Sequence, residues 1–135
     1  MKKSRIFLAV GIGLIVCFCV VNLAFPFTDC GSSTLYSENE IEEAMQVVRN
    51  EFIDNECKLY TISYTSDEKS RRELEHCNEL NHGESPYTEC IVLETKFRSP
   101  MFGGGAWSAN RIYDWTWCIA RTRNGDWEIV DRGVC

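Results

Sequence analysis

Residues 111–135 constrain the fold more than any other stretch of the chain. Two runs rich in aromatic and β-branched residues, Arg111 to Arg123 and Asp126 to Cys135, flank the pair Asn124-Gly125. An Asn-Gly pair in that setting is the strongest short signal for a two-residue hairpin, because both central residues take positive φ. A two-residue loop fixes register. It predicts Arg121 opposite Glu128, Ile119 opposite Val130 and Ala120 opposite Ile129. The Arg121–Glu128 ion pair would contribute a few tenths of a kcal/mol up to about 1. Period two then places Trp115, Trp117, Ile119 and Val130 on one face, and Thr116, Cys118, Ala120, Trp127 and Ile129 on the other. Each Trp buries roughly 150–250 Å², so the face with Trp115 and Trp117 is the expected core.

The segments upstream supply what covers that face. Ser37-Glu38-Asn39-Glu40 is a capping box, and Ile41, Ala44, Met45, Val48 and Phe52 recur at helical spacing. An amphipathic helix over 38–54 follows, needing a sheet to lie on. Cys57 to Tyr64 reads as a strand, with Tyr60, Ile62 and Tyr64 on one face and Leu59, Thr61 and Ser63 on the other. Thr65-Ser66-Asp67-Glu68 opens a second, polar helix ending near Asn81-His82-Gly83. Only Leu74, Cys77 and Leu80 give it anything to bury, so Cys77 is its expected tether. In the strand from Thr88 to Ser99, Ile91, Leu93, Thr95 and Phe97 share the core face. The loop Pro100 to Asn110 holds three successive glycines, Gly103 to Gly105, which imply an unusual backbone path. Met101, Phe102 and Trp107 are its apolar anchors, and the loop is expected to fold over the sheet edge. The order predicts an α+β domain: an amphipathic helix packed on a curved antiparallel sheet of about four strands, with a second short polar helix.

Ahead of this domain, Met1-Lys2-Lys3-Ser4-Arg5 precedes an apolar run from Ile6 to Phe27, broken only by Asn22. About 20 such residues span a bilayer as a helix, with the basic end in the cytoplasm. The expectation is a single-pass membrane protein with an extracellular domain, partnered with the membrane through residues 6–27. A cleaved signal segment, which would give a secreted protein, and lipidation at Cys17 are the competing readings. The organisation is then 1–27 anchor or signal segment, 28–36 linker and 37–135 extracytoplasmic domain. Residues 28–135 carry 11 basic and 20 acidic residues, which argues against phosphate-backbone binding, so no nucleic acid is expected.

Six cysteines follow the apolar run: Cys30, Cys57, Cys77, Cys90, Cys118 and Cys135. An even count in a short exported domain reads as three disulfides, and a domain of about 100 residues benefits from such staples. Symmetric closure of the long loop brings Cys90 within about one residue of facing Cys118. Cys57 with Cys77, and Cys30 with Cys135, complete the expected set. A metal site from His76, Cys77, His82 and Cys90 matches no zinc spacing, so neither metal nor cofactor is expected.

Motifs for nucleophilic catalysis, phosphate cradling and zinc hydrolysis are absent. His76 and His82 read as solvated surface residues. The remaining candidate is a sheet-lined pocket of Tyr113, Asp114, Trp115, Trp117 and Trp107, with Asp114 as base and Tyr113 as donor. The competing reading puts Asp114 on a solvent-facing edge. No catalytic residue is assigned.

The motifs Ser37-Glu-Asn-Glu-Ile-Glu-Glu-Ala, Tyr64-Thr-Ser-Asp-Glu-Lys-Ser, Gly103-Gly-Gly-Ala-Trp, Asp114-Trp-Thr-Trp and Gly125-Asp-Trp-Glu-Ile-Val together resemble uncharacterised small cell-surface proteins of Gram-positive bacteria. Those proteins have NTF2-like or cystatin-like α+β domains. The resemblance spans about residues 37–133 and implies a roll with its first helix in a curved sheet. The extra cysteines depart from that group. Two functions fit: a non-catalytic extracytoplasmic domain binding or sensing an envelope ligand or protein, or a small-molecule pocket with isomerase-like or lyase-like chemistry. A filled core favours the first, and a pocket at the Trp residues with a buried carboxylate favours the second.

Overall fold

The computed structural model describes residues 26–83, 85–105 and 107–133. Residues 1–25, which hold nearly all of the expected membrane segment, lie outside the described residues, as does Cys135. Among the described residues, no helix is long and apolar enough to cross a membrane. The chain is α+β, with two described helices and a five-stranded mixed sheet. Its elements are β1 (Phe27–Asp29), α1 (Glu38–Asp54), β2 (Lys58–Tyr64), α2 (Asp67–Glu79), β3 (Tyr87–Arg98), β4 (Ile112–Thr122) and β5 (Glu128–Gly133). The strands lie in sequence order across the sheet.

β1 corrects the expected four-stranded antiparallel sheet. It pairs parallel to β2, Phe27 beside Thr61 and Asp29 beside Ser63. Thr28 and Asp29, at the start of the expected linker, thus lie in the sheet. β1 satisfies backbone groups along β2 that would otherwise form an open edge. Asp67, at the start of α2, then fastens the following turn. It accepts from Ser33 Oγ at 2.5 Å and from the Thr34 backbone N–H at 2.8 Å.

Both helices begin where their caps predict. Ser37 accepts from the Glu40 backbone N–H, and the Glu40 side chain returns to the Ser37 N–H at 2.9 Å. Ile41, Ala44, Met45, Val48 and Phe52 bury one face of α1 against Ile62, Ile91, Leu93, Phe97, Trp117 and Ile119. α2 covers the opposite face of the sheet, where Cys77 packs with Cys90, Val92, Cys118 and Ala120. The sheet is thus the middle of three layers, and side chains alternate between two cores.

β3 and β4 run antiparallel with Ile91 beside Ile119, Leu93 beside Trp117 and Phe97 beside Tyr113. The expected core face of β3 is the observed one. On β2 a bulge between Leu59 and Thr61 shifts the phase. Leu59 joins Ile62 and Tyr64 over the α1 core, while the Tyr60 hydroxyl accepts from Arg98 Nε at 2.9 Å.

The last hairpin also departs from expectation. Its loop is Arg123–Trp127, five residues rather than two. Asn124 takes φ 62°, but Gly125 is not in the left-handed region. Gly125 is needed for space instead, because a Cβ there would lie 2.5 Å from Thr122 Oγ1. Ile119 pairs with Ile129 and Ala120 with Glu128, then a shift restores Cys118 opposite Asp131 and Trp117 opposite Arg132. The extra residue reverses the faces on its turn side. Trp127 and Ile129 join the α1 core, whereas Val130 packs beside Cys118 and Ala120.

Candidate functional site

Alternation along β4 separates the expected pocket residues. Tyr113, Trp115 and Trp117 face α1, and Asp114, one position out of phase, faces the side of α2. Tyr113 and Asp114 therefore cannot act as donor and base on one substrate. Trp117 is fully buried. Its ring meets Phe52 edge-on at 5.2 Å, and its N–H donates to Thr95 Oγ1 at 2.8 Å. Trp115 lies 5.4 Å from Phe97 and 5.6 Å from Trp107, between ring centres. Tyr113 stacks on Phe97 at 5.6 Å. Its hydroxyl accepts from the Ser108 N–H at 3.0 Å.

Trp107 reaches this cluster because the glycine loop doubles back. Gly103 takes φ 71° and Gly105 φ 58°, and the Trp107 N–H bonds the Gly104 carbonyl at 3.2 Å. The loop thus lays an indole on the core, as expected. The four aromatic residues and α1 fill the space where a sheet-lined pocket would have been. The indole N–H groups of Trp107 and Trp115 have no acceptor among the described residues.

Open space lies on the other face. A cavity of about 330 Å³ is lined by Thr61, Ser63, Lys69, Glu94, Asp114 and Thr116, among others. Lys69 Nζ is 3.2 Å from Glu94, and Lys96 Nζ is 3.9 Å from Asp114. The two carboxylate side chains are 56% and 77% exposed. Solvent and lysines surround both, which is the ordinary setting of a polar face. Asp114 occupies the solvent-facing position.

Three cysteines converge beneath α2. Cys77, Cys90 and Cys118 are buried together, with Leu74 and Val130 at the margin, and the Cys77 and Cys90 sulfurs are 3.7 Å apart. Hydrogen bonding with Cys118 and Cys77, reinforced by burial, pushes the Cys90 thiol far up. Cys77, bonded to both others, is the member held down. Cys118 also lines a second open cavity, of about 340 Å³, with Lys69, His76 and Asp131. Cys, His and Asp together invite comparison with a thiol nucleophile and its base. The geometry argues otherwise. His76 Nε2 is 3.1 Å from Asp131 and Nδ1 is 3.8 Å from Glu79. The hydrogen bond to Asp131 raises the His76 pKa. Asp131 holds the imidazole through Nε2, and no hydrogen bond joins His76 to Cys118.

The structure places the expected disulfide partners as follows. Cys90 pairs with Ala120 and Cys118 with Val92, so the two cysteines are diagonal rather than opposite. Cys57 packs at the margin of the α1 core, and the sheet lies between it and Cys77. Cys30 Sγ is 4.0 Å from Glu42, and its expected partner Cys135 is outside the described residues. No disulfide links the described cysteines. No group of three or more His, Cys, Asp or Glu side chains among the described residues is placed to hold a metal ion. His82 is exposed.

Two polar centres were not visible in the sequence. Arg121, expected opposite Glu128, instead binds Glu40 and Glu89, at 2.6 Å each. Its guanidinium lies 4.2 Å from the Trp127 ring centre, while Glu128 accepts from the Tyr87 hydroxyl. Asp67, which looked only like a first-turn acid, also accepts from the Tyr64 hydroxyl at 2.8 Å. Both unite segments far apart in sequence, for which local pattern carries no signal. Comparison with family models, curated proteins and solved structures finds no match for this chain.

Proposed function

We propose that this chain is a membrane-anchored extracytoplasmic domain that binds or senses a ligand at the cell envelope without catalysing a reaction. The observation that carries the reading is the filled α1 face. Trp117, Phe97 and Leu93 are fully buried under α1, and Trp107, Tyr113 and Trp115 close its margin. An isomerase-like or lyase-like site in a curved sheet needs an apolar cavity with a desolvated acid or base. Here the cavity beside Asp114 is open and polar, and the two carboxylates that line it, Glu94 and Asp114, are exposed. The anchor is the apolar run from Ile6 to Phe27, which enters β1 directly. The NTF2-like or cystatin-like roll remains part of this proposal, supported by a long amphipathic helix on antiparallel β2–β5.

The test is fractionation of cells carrying the full chain, followed by protease treatment of intact cells. The reading expects recovery in the membrane fraction and loss of the domain to external protease. Recovery in the cytosol, protected from protease, would overturn it. Turnover of a small molecule that is abolished by Asp114→Ala would overturn the non-catalytic half.

A further inference from the structure

The large apolar residues left exposed are not scattered. Among the described residues seven exceed one-third exposure, and five of them lie at one end of the molecule: Phe27, Ile53, Met101, Phe102 and Ile112. Strand register fixes that end. Lys58, Arg98 and Ile112 sit side by side across β2, β3 and β4. α1 finishes at Asp54, next to the start of β2, and the loop with Met101 and Phe102 leaves the end of β3. β1 runs parallel to β2, so the chain comes in from the same end. Pro26 and Ile53 share one cavity there with Cys57 and Leu59. Exposure in this group runs from 49% at Ile112 to 94% at Phe102. The other two, Leu35 at 38% and Leu80 at 40%, are at the far end and are the least exposed.

Charge follows the same axis. The apolar end carries Lys58, Lys96, Arg98 and Arg111 against Asp54, Glu56 and Asp114, Lys96 and Asp114 lying level with Thr61 and Phe27 across the sheet, and no acidic residue lies between Arg98 and Tyr113. The other residues after Phe27 include seven cations and seventeen carboxylates. Among these, Glu38, Glu40, Glu42 and Glu43 open α1 and Asp67 and Glu68 open α2, all at the opposite end.

We infer that the end bearing Phe27, Ile53, Met101, Phe102 and Ile112 is seated on an anionic bilayer surface. The inference deepens the anchored-domain reading and rests on it, because the apolar run ends at Phe27, the first residue of β1, which leaves no slack between them. Exposed aromatic and aliphatic side chains gain by entering the headgroup boundary, and neighbouring Lys and Arg are drawn to anionic lipid. The acidic far end is repelled from the same surface, so only one orientation is favoured. Met101 and Phe102 protrude from a loop that Trp107 and the glycines hold against the core, so they enter the boundary without unfolding anything.

The test uses the full chain reconstituted into phosphatidylcholine–phosphatidylglycerol vesicles doped with a photoreactive phospholipid, with labelled peptides identified by mass spectrometry. Labelling of the Met101–Phe102 and Ile53 peptides about tenfold above those with Leu35 and Leu80 is expected. Labelling of residues 6–25 with none at Met101, Phe102 or Ile53 would overturn the seating while leaving the anchor intact. Labelling of the seating residues without residues 6–25 would support the seating and overturn the anchor, and labelling of neither would overturn both. In a second protein, Met101→Glu with Phe102→Glu, both positions are exposed in the parent, so the fold is expected to be retained. Labelling at Ile53 should then fall several-fold, and unchanged labelling there would show that this loop does not seat the domain.

Discussion

Trp117 on β4 donates its indole N–H to Thr95 Oγ1 on β3 at 2.8 Å, and no water reaches the indole, which is wholly buried. A buried donor costs little while it is paired and much once it is orphaned. Thr95→Val keeps the shape of the side chain and removes the acceptor. It should lower stability by about 1–3 kcal/mol, measured by urea unfolding. Trp117→Phe added to it should not cost the sum of the two single changes, because the second removes the orphaned donor. Full additivity would mean that the bond carries no coupling.

The core face of β3 was legible in the sequence because Ile91, Leu93 and Phe97 alternate without interruption. α1 was legible because its cap and apolar stripe agree to the residue. What failed did so for one recurrent reason. A bulge adds a residue without leaving a mark in local composition, so Leu59, Tyr60, Ile129 and Val130 each appeared on the wrong face. Asn124-Gly125 suggested a two-residue loop, although Gly125 is there for room rather than for φ. The aromatic residues of the candidate pocket were recognised, but alternation on β4 placed Asp114 behind the sheet from them. β1 was hidden inside an apolar run that reads equally well as bilayer span.

Arg121 joins the first turn of α1 to β3 and to the last loop through Glu40, Glu89 and Trp127. Glu40 is held below the usual carboxylate range, first by the Ser37 backbone N–H and then by Arg121. Arg121→Met leaves two part-buried carboxylates facing each other and frees the Trp127 ring. The expected loss is about 1–3 kcal/mol in chemical unfolding. A change under 0.5 kcal/mol would place the pair among weak surface ion pairs.

Asp67 gives the domain an acid-sensitive clamp. Donation from Ser33, then from the Thr34 backbone and side chain and from Tyr64, holds its carboxyl well below the usual range. A group with a depressed folded pKa contributes stability above its unfolded pKa, and that contribution fades as pH falls. The window therefore opens below the ordinary value of 3.8. Asp67→Asn should be less stable than the parent at neutral pH, and the gap should narrow on acidification below that value. A gap independent of pH would remove Asp67 as the titrating group.

The three glycines of the long loop should respond differently to the same substitution. Gly103 has φ 71°, and a Cβ there would lie 3.1 Å from the Trp107 carbonyl and 3.2 Å from the Ala109 amide. Gly105 has φ 58° with open space, and Gly104 has neither restriction. Gly103→Ala should cost most, above about 1 kcal/mol, Gly105→Ala about 1, and Gly104→Ala close to nothing. Thermal unfolding of the three variants would show the order, and an equal effect at all three would mean the loop is not held as described.

Cys77 and Cys90, with sulfurs 3.7 Å apart, are a pair placed to form a disulfide when the domain meets an oxidant. The competing Cys90–Cys118 pair is diagonal across β3 and β4. Diagonal neighbours are about 7–8 Å apart, beyond the roughly 4.4–6.8 Å that a disulfide usually spans between Cα atoms. Non-reducing peptide mapping of protein purified under oxidising conditions should link the Cys77 and Cys90 peptides. Closing a loop of that size stabilises by about 3 kcal/mol, chiefly by restricting the unfolded chain. Under oxidising conditions Cys77→Ser and Cys90→Ser should each lose about that amount, and reduction of the parent should cost it a similar amount. Cys118→Ser should keep the link, because Cys118 packs against the pair without being needed to close it. Recovery of a Cys90–Cys118 linkage in the native map would require a register between β3 and β4 other than the one found.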